Sequence, residues 1–239
     1  MPAAPPPVLV LLPGMDGTGL MFEPFLKVLD GFETRVVRYP EALTSYPDCI
    51  AFARAQLPVG RSFLLLGESF SGPVAIALAA ERPAGLAGLV LCVTFARNPR
   101  PALGWTAPLL RALPPARLPL PLLRRLLLDR WASDALIALV RTMLPRVPMP
   151  TLKARLLAVM AVDVTALLSQ IQVPVLALRA SHDRLVPRAA TRWIQDHRTH
   201  LDVVTLQGPH WLLQTRPEAC AQAIEAFIAR NQSLQDEQP

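Results

Sequence analysis

The sequence predicts an α/β fold: a mostly parallel sheet of about six strands with helices on both faces and a helical lid insertion. Three observations lead there. Short apolar runs alternate with helical stretches along most of the chain. Those runs are apolar at nearly every position, as strands covered on both faces are. The alternation then stops between residues 97 and 170, where ten prolines and a single glycine, Gly104, accompany repeated Leu and Arg.

The elements follow in order. Val8 to Leu12 is a continuous apolar run and reads as a buried strand. The glycine-rich turn Pro13 to Gly19 follows it, and Met21 to Leu29 reads as a helix. Arg35 to Tyr39 is the next expected strand, stopped by Pro40, and Cys49 to Leu57 the next helix, with Pro47 and Asp48 at its start. A strand ends at Leu66, a helix covers Pro73 to Ala80, and Leu86 to Val93 is another buried strand. Within the insertion, Leu122, Leu123, Leu126 and Leu127 form one apolar stripe. Leu136, Leu139, Val140, Met143 and Leu144 form a second, with Ser133 as its N-cap. Val173 to Arg179 and Leu201 to Leu206 are the last strands. Helices are expected at Arg188 to His197 and Pro217 to Arg230, with a loose polar tail beyond. The core is thus 1–96 with 171–239, and the insertion 97–170.

Bulk properties narrow the function classes. A chain of 239 residues, 52% hydrophobic and 18% charged, is long enough for one large core. No apolar run approaches the roughly 20 residues of a membrane span. The first seven residues lack Lys and Arg, unlike the basic start of a signal peptide, so a cytoplasmic protein is expected. Cys49, Cys92 and Cys220 are odd in number and far apart, which gives neither a disulfide framework nor a metal spacing. The net charge is +6, but 22 of the 24 basic residues are arginine and no nucleic-acid-binding module is visible, so nucleic acid is not an expected partner.

The chain is organised around Gly67-Glu68-Ser69-Phe70-Ser71-Gly72, set between an apolar strand and an apolar helix. A serine on so tight a turn is lifted above the sheet edge, and the residues two before and two after it, Gly67 and Ser71, must be small. A serine hydroxyl needs a base to take its proton and a third group to hold that base. Asp183 follows the strand ending near Arg179, and His210 follows the last strand. Both therefore lie at carboxyl ends of strands, the edge where ligands bind in open α/β sheets.

With those residues in hand, the chain resembles the α/β-hydrolases over nearly its whole length. The resemblance implies a triad of Ser69, Asp183 and His210. It also implies an oxyanion hole made by the backbone N–H groups of Met15 and Phe70. Two departures stand out. Pro13-Gly14 replaces the usual His-Gly, and Ser71 replaces the last glycine of Gly-x-Ser-x-Gly. The family's two antiparallel strands at the start have no counterpart ahead of Val8. The resemblance implies a serine carboxylic ester hydrolase for apolar acyl esters, with no metal or cofactor. Leu185-Val186-Pro187-Arg188 is similar to a stretch in pimeloyl-carrier-protein methyl ester esterases. A thioesterase or acyltransferase would use the same triad, and the fold also hosts non-catalytic binding proteins.

Other residues read as structural. Glu68 is expected to pack or cap, and Asp16 to shape its own turn. His182 reads as a solvated loop residue, and the spacing of His197 and Asp202 as chance. Trp105, Trp131 and Met143 are expected to line an acyl pocket with the insertion's leucines. From Arg97 to Gln170 eleven basic residues face three acidic ones, a net +8, so with +6 for the whole chain the remainder carries −2. A basic lid of this kind would suit an acidic carrier protein or an anionic head group. Solvation of a greasy lid by Arg124, Arg125 and Arg130 is the alternative.

Overall fold

Alternate side chains of a strand point to opposite faces, so a strand with apolar residues at every position needs cover on both. This computed structural model describes residues 6–114 and 119–236, and within it the strands have that cover. The strands are β1 (Val8–Leu12), β2 (Thr34–Val36), β3 (Phe63–Glu68), β4 (Leu86–Cys92), β5 (Val175–Ala180) and β6 (Leu201–Leu206). The helices are α1 (Glu23–Leu26), α2 (Tyr46–Arg54), α3 (Gly72–Ala80), α4 (Ala107–Ala112), α5 (Leu120–Leu127), α6 (Asp134–Met143), α7 (Met149–Ala161), α8 (Arg188–His197), α9 (Leu212–Thr215) and α10 (Pro217–Asp236). Val8, Val10, Leu12, Phe63 and Leu65 face one way, packing with α2, α3 and α8. Leu9, Leu11, Leu64 and Leu66 face the other way, with Phe25 of α1, Leu212 and Leu213 of α9, and Ile224 and Phe227 of α10.

The sheet is parallel throughout, in the order β2-β1-β3-β4-β5-β6. The chain runs from β1 outward to β2, then returns to the other side of β1. The switch point therefore lies between β1 and β3, where a crevice opens above the carboxyl ends. The loop after β1 and the turn after β3 both end there.

Several elements differ in extent from the sequence reading. The Met21 to Leu29 region is a 3₁₀ turn, Leu20–Phe22, followed by the single-turn α1. β2 stops at Val36, because the Val37 N–H donates to Leu11 but the Tyr39 N–H leaves the sheet for Gly17 O. α2 begins earlier, at Tyr46, where the Ser45 hydroxyl accepts from the Asp48 N–H at 3.3 Å and caps it. α10 runs to Asp236, so the tail from Asn231 continues the helix to that point.

The segment between β4 and β5 is helical, with α4 to α7 joined by 3₁₀ turns. Its ends are tied together: the Asn98 N–H donates to Val162 O, the Val164 N–H donates to Ala96 O, and Arg97 bridges Asp163. Past Val164, the 3₁₀ turn Thr165–Gln170 rests on α3 and α8 of the core. Ser133 caps α6 at Leu136 N–H, 3.3 Å, and Val140 and Met143 pack on Met21 and Val147. Arg117, one of the eleven basic residues, lies outside the described residues.

β3, its turn and α3 pack at van der Waals limits. A Cβ on Gly67 would sit 2.7 Å from Ala75 Cβ and from Ser71 O, and one on Gly72 would run into the Thr94 side chain. Gly72→Ala should therefore overpack this corner and cost about 1–3 kcal/mol. Thermal unfolding should show this as a drop of several degrees in Tm; an unchanged Tm would mean that Thr94 yields freely.

Candidate active site

Ser69 follows β3 directly and adopts φ 48°, a left-handed conformation costly for a residue with a Cβ. The surroundings hold it there. Thr94 Oγ1, just past β4, donates to Ser69 O. Ser71 is fully buried; its hydroxyl donates to Pro13 O and lies 3.1 Å from the Tyr39 hydroxyl. Ser71 thus fills a small space and also ties the turn to the β1 loop, which glycine at that position could not do. Phe70 is buried between aromatic neighbours, stacked on Tyr46 at 4.8 Å and edge-on to Tyr39 at 6.5 Å.

Three loops converge above this turn. Ser69 Oγ lies 2.9 Å from His210 Nε2, and His210 Nδ1 lies 2.8 Å from Asp183 Oδ2. Asp183 is itself fixed, because its Oδ1 accepts the N–H groups of Leu185 and Val186, each at 2.8 Å. The two loops are stitched together where the Ser181 N–H donates to Leu206 O and the His182 N–H to Gly208 O. The Trp211 N–H donates to Leu127 O of α5, anchoring the histidine loop to the helical segment. Burial of His210 disfavours its charged form, but the Asp183 carboxylate and its hydrogen bond, with Glu68 beyond, more than offset that. The imidazole's pKa is therefore raised above its ordinary value. Such a chain can draw a proton from the serine hydroxyl and hold the resulting imidazolium.

Met15 and Phe70 line, together with Ser69 and His210, a cavity of about 580 Å3. The rest of the wall is almost wholly apolar: Phe95, Val186, Val159 and Met160 meet Leu103, Leu109, Leu110, Leu113, Leu123, Leu126, Leu127 and Leu156. Asn98, Arg100 and Thr106 are its polar members. Of the leucines expected on this wall, these eight are on it but Leu122, Leu136, Leu139 and Leu144 are not, and neither are Trp105, Trp131 and Met143. Trp105 is 76% exposed, Trp131 rests against His182 with ring centroids 5.0 Å apart, and Met143, at the end of α6, packs on Met21 and Val147. Helical periodicity marks such residues as apolar-facing without saying which apolar surface they meet.

The remaining candidates fall elsewhere. Asp16 Oδ1 accepts from the Thr18 N–H at 2.8 Å, as turn chemistry requires. His182 is exposed beside Arg130, and His197 Nδ1 lies 2.8 Å from Trp193 O, on α8. Asp202 pairs with Arg230 at 3.1 Å. Among the described residues, no group of three or more His, Cys, Asp or Glu side chains is placed to hold a metal ion, and no helix is long and apolar enough to cross a membrane.

Glu68, expected to pack or cap, has no role at the site in the sequence reading. It is buried, accepts from Gln214 Nε2 at 2.9 Å and lies close to Gly14 of the β1 loop. The available signal was an acidic residue ending an otherwise apolar buried strand.

A family model, the alpha/beta hydrolase family, matches residues 6–223. The chain belongs to the alpha/beta hydrolase family. No curated protein matches its sequence. Among solved structures, it is similar to a lipase-esterase related protein from Clostridium acetobutylicum, with a TM-score of 0.78 at 15% identity over 94% of this chain and 95% of that one. It is also similar to a thermophilic esterase from Thermogutta terrifontis, with a TM-score of 0.75 at 22% identity over 95% and 90%. An enol-lactonase from Burkholderia xenovorans gives a TM-score of 0.73 at 19% identity over 96% and 94%. At these identities the likeness is one of fold, so this hydrolase's chemistry has to be argued from its own site.

Burial pushes the Glu68 carboxyl up from 4.5 to about 7, with Gln214 opposing. The folded protein thus holds a proton there that the unfolded chain has released. That contribution to stability is complete below about pH 4.5 and is lost as pH rises through about 7. Glu68→Gln imitates the protonated form, so its Tm relative to wild type should climb between about pH 5 and pH 8. Calorimetry of both proteins across that range checks this; parallel curves would mean that Glu68 stays ionised.

Proposed function

We propose that this hydrolase cleaves carboxylic esters of apolar acyl groups through a covalent acyl-enzyme. The observation that carries the reading is the continuous chain Ser69–His210–Asp183, at 2.9 and 2.8 Å, opening on an apolar cavity. Ser69 Oγ attacks the acyl carbonyl carbon as His210 Nε2 takes its proton. The carbonyl's electron pair moves to oxygen, where the backbone N–H groups of Met15 and Phe70 receive it. The tetrahedral intermediate collapses, the alcohol leaves with the proton from His210, and the acyl group stays on Ser69. Water, deprotonated by His210, then attacks the ester, and the acid departs as Ser69 regains its proton. Asp183, against Nδ1, keeps the imidazole in the required tautomer.

The helical segment supports a lid role: residues 98–160 supply most of the cavity wall, with Leu109 and Leu110 from α4, Leu123, Leu126 and Leu127 from α5 and Leu156, Val159 and Met160 from α7, a lining that suits an acyl chain and offers few polar groups to hold a charged one. The esterase and lactonase folds among the similar structures are consistent with acyl chemistry. Thioester hydrolysis or acyl transfer would use the same groups and differ in leaving group or acceptor. A non-catalytic ligand binder would not need the serine aligned on an imidazole.

Ser69→Ala, His210→Ala and Asp183→Asn should each lower hydrolysis of p-nitrophenyl esters by roughly four to six orders of magnitude without loss of fold, since the three act as a unit. Near-native activity in Ser69→Ala would remove the centre of the proposal. In the wild type, kcat/KM should rise with pH as His210 loses its proton, with a midpoint above the ordinary imidazole value of ~6.5. A profile flat from about pH 5 to pH 8 would count against His210 as the base.

The lid's charge favours a partner reading for the substrate. Arg111, Arg124, Arg125, Arg141 and Arg146 have no acidic partner among the described residues. Unpaired cations on the segment that walls the cavity suit an acidic carrier protein presenting a tethered acyl ester. Reversing Arg124 and Arg125 to Glu should then lower kcat/KM for a carrier-linked ester and abolish its salt dependence, while a small neutral ester is hydrolysed as before. Equal effects on both substrates would leave an esterase without carrier docking.

A further inference from the structure

Arg155, on α7, is fully buried and carries its charge into the core without a carboxylate partner. A buried guanidinium must have its donors satisfied, and an ion pair is the common way to do it. Here all five hydrogen bonds go to main-chain carbonyls. Nε donates to Leu43 O at 2.9 Å; Nη1 donates to Met15 O and Asp16 O, each at 3.0 Å; Nη2 donates to Pro40 O at 3.1 Å and Leu43 O at 2.8 Å. The planar fork therefore spans two loops, the one after β1 and the one after β2.

The first of those loops carries Met15. It is a tight turn in which the Gly17 N–H donates to Gly14 O at 3.0 Å and Gly17 O accepts from the Tyr39 N–H at 2.8 Å. Gly17 sits at φ 73°, and a Cβ there would collide with the Arg155 guanidinium. The guanidinium also lies 5.9 Å from the centre of the Phe70 ring. It thus abuts both residues whose backbone N–H groups face the developing oxyanion in the proposed reaction. The N–H and carbonyl of Met15 belong to successive peptide planes hinged at one Cα. Holding the carbonyls of Met15 and Asp16 therefore limits where the Met15 N–H can point.

We infer that Arg155 is a positioning residue for the oxyanion hole, locking the Met15 peptide in its donating orientation from the helix that also walls the acyl cavity. The same α7 places Leu156, Val159 and Met160 on that wall. One helix thereby sets both the shape of the acyl site and the aim of an oxyanion donor. The inference rests on the acyl-transfer reading above. Arginine is required because a lysine ammonium offers its donors from one point and cannot reach both loops at once.

The test separates positioning from folding. Arg155→Lys keeps the charge and part of the bonding; Arg155→Met removes both. Activity is measured on p-nitrophenyl butyrate, per active serine titrated with a fluorophosphonate, well below each variant's Tm. For Arg155→Lys, kcat should fall about 10- to 100-fold with KM within about threefold, as loss of an aligned oxyanion donor requires. Affinity for butylboronic acid, whose tetrahedral adduct on Ser69 places an oxygen at the oxyanion position, should fall by the same factor. Affinity for butanoate, which makes no such adduct, should hold. The midpoint of the pH profile should also hold, because His210 is untouched. A purely structural Arg155 would lower Tm and yield while leaving kcat per active serine and boronate affinity within about twofold, and that result would overturn the inference. If Arg155→Met does not fold, Arg155→Lys decides alone. Ser69→Ala run alongside distinguishes the failures. A Ser69→Ala protein that still hydrolyses the ester refutes the acyl-enzyme reading itself. An inert Ser69→Ala beside an unimpaired Arg155→Lys refutes only the role given to Arg155.

Discussion

The turn at Ser69 depends on atoms that have no room to move. Gly67 lies against Ala75 and the Ser71 carbonyl, and Gly72 against Thr94, so β3 and α3 approach as closely as backbones allow. That approach leaves Ser69 no relaxed conformation and holds it at φ 48°. Its carbonyl is taken by Thr94, and its hydroxyl projects toward His210. The strain is local, whereas the packing that sustains it runs through two apolar layers of the domain. A serine in a relaxed turn would keep its chemistry but lose its aim.

The β1 loop gathers constraints from every side. Glu68 lies against Gly14, Ser71 donates to Pro13, Tyr39 reaches Gly17 from the β2 side, and Arg155 holds Met15 and Asp16 from α7. Two of these groups are ionisable and buried, an expensive arrangement in which each is satisfied by amides and carbonyls. Backbone partners give direction without adding a countercharge. When ionised, Glu68 adds to the field that favours the His210 imidazolium; a neutral Glu68 does not.

The helical segment between β4 and β5 has a divided character. Its inner side is leucine and faces the cavity. Its basic residues are largely without acidic partners among the described residues, while much of the acidic charge lies on the core. Arg130 is an exception in kind, spending its charge over the Trp131 ring at 4.3 Å.

The sequence by itself determined the sheet, its parallel sense and the three loops that carry Ser69, Asp183 and His210. Each of these follows from local pattern: apolar runs of strand length, small residues at a forced turn, and polar residues just beyond strand ends. The caps at Ser133 and Ser45 are local in the same way, and only the first was anticipated. The tertiary structure alone decided which apolar residues meet. Trp105 and Met143 carry the same hydrophobic signal as Leu109 and Leu123, yet one lies in solvent, one against Met21 and Val147 and two on the cavity wall. It alone decided the fates of Glu68 and Arg155, because a charged residue inside an apolar stretch shows that something must satisfy it but not what. Their partners, Gln214 and the carbonyls of Met15 to Leu43, are more than a hundred residues away. Periodicity is a property of neighbours along the chain; satisfaction of a buried charge is a property of neighbours in space.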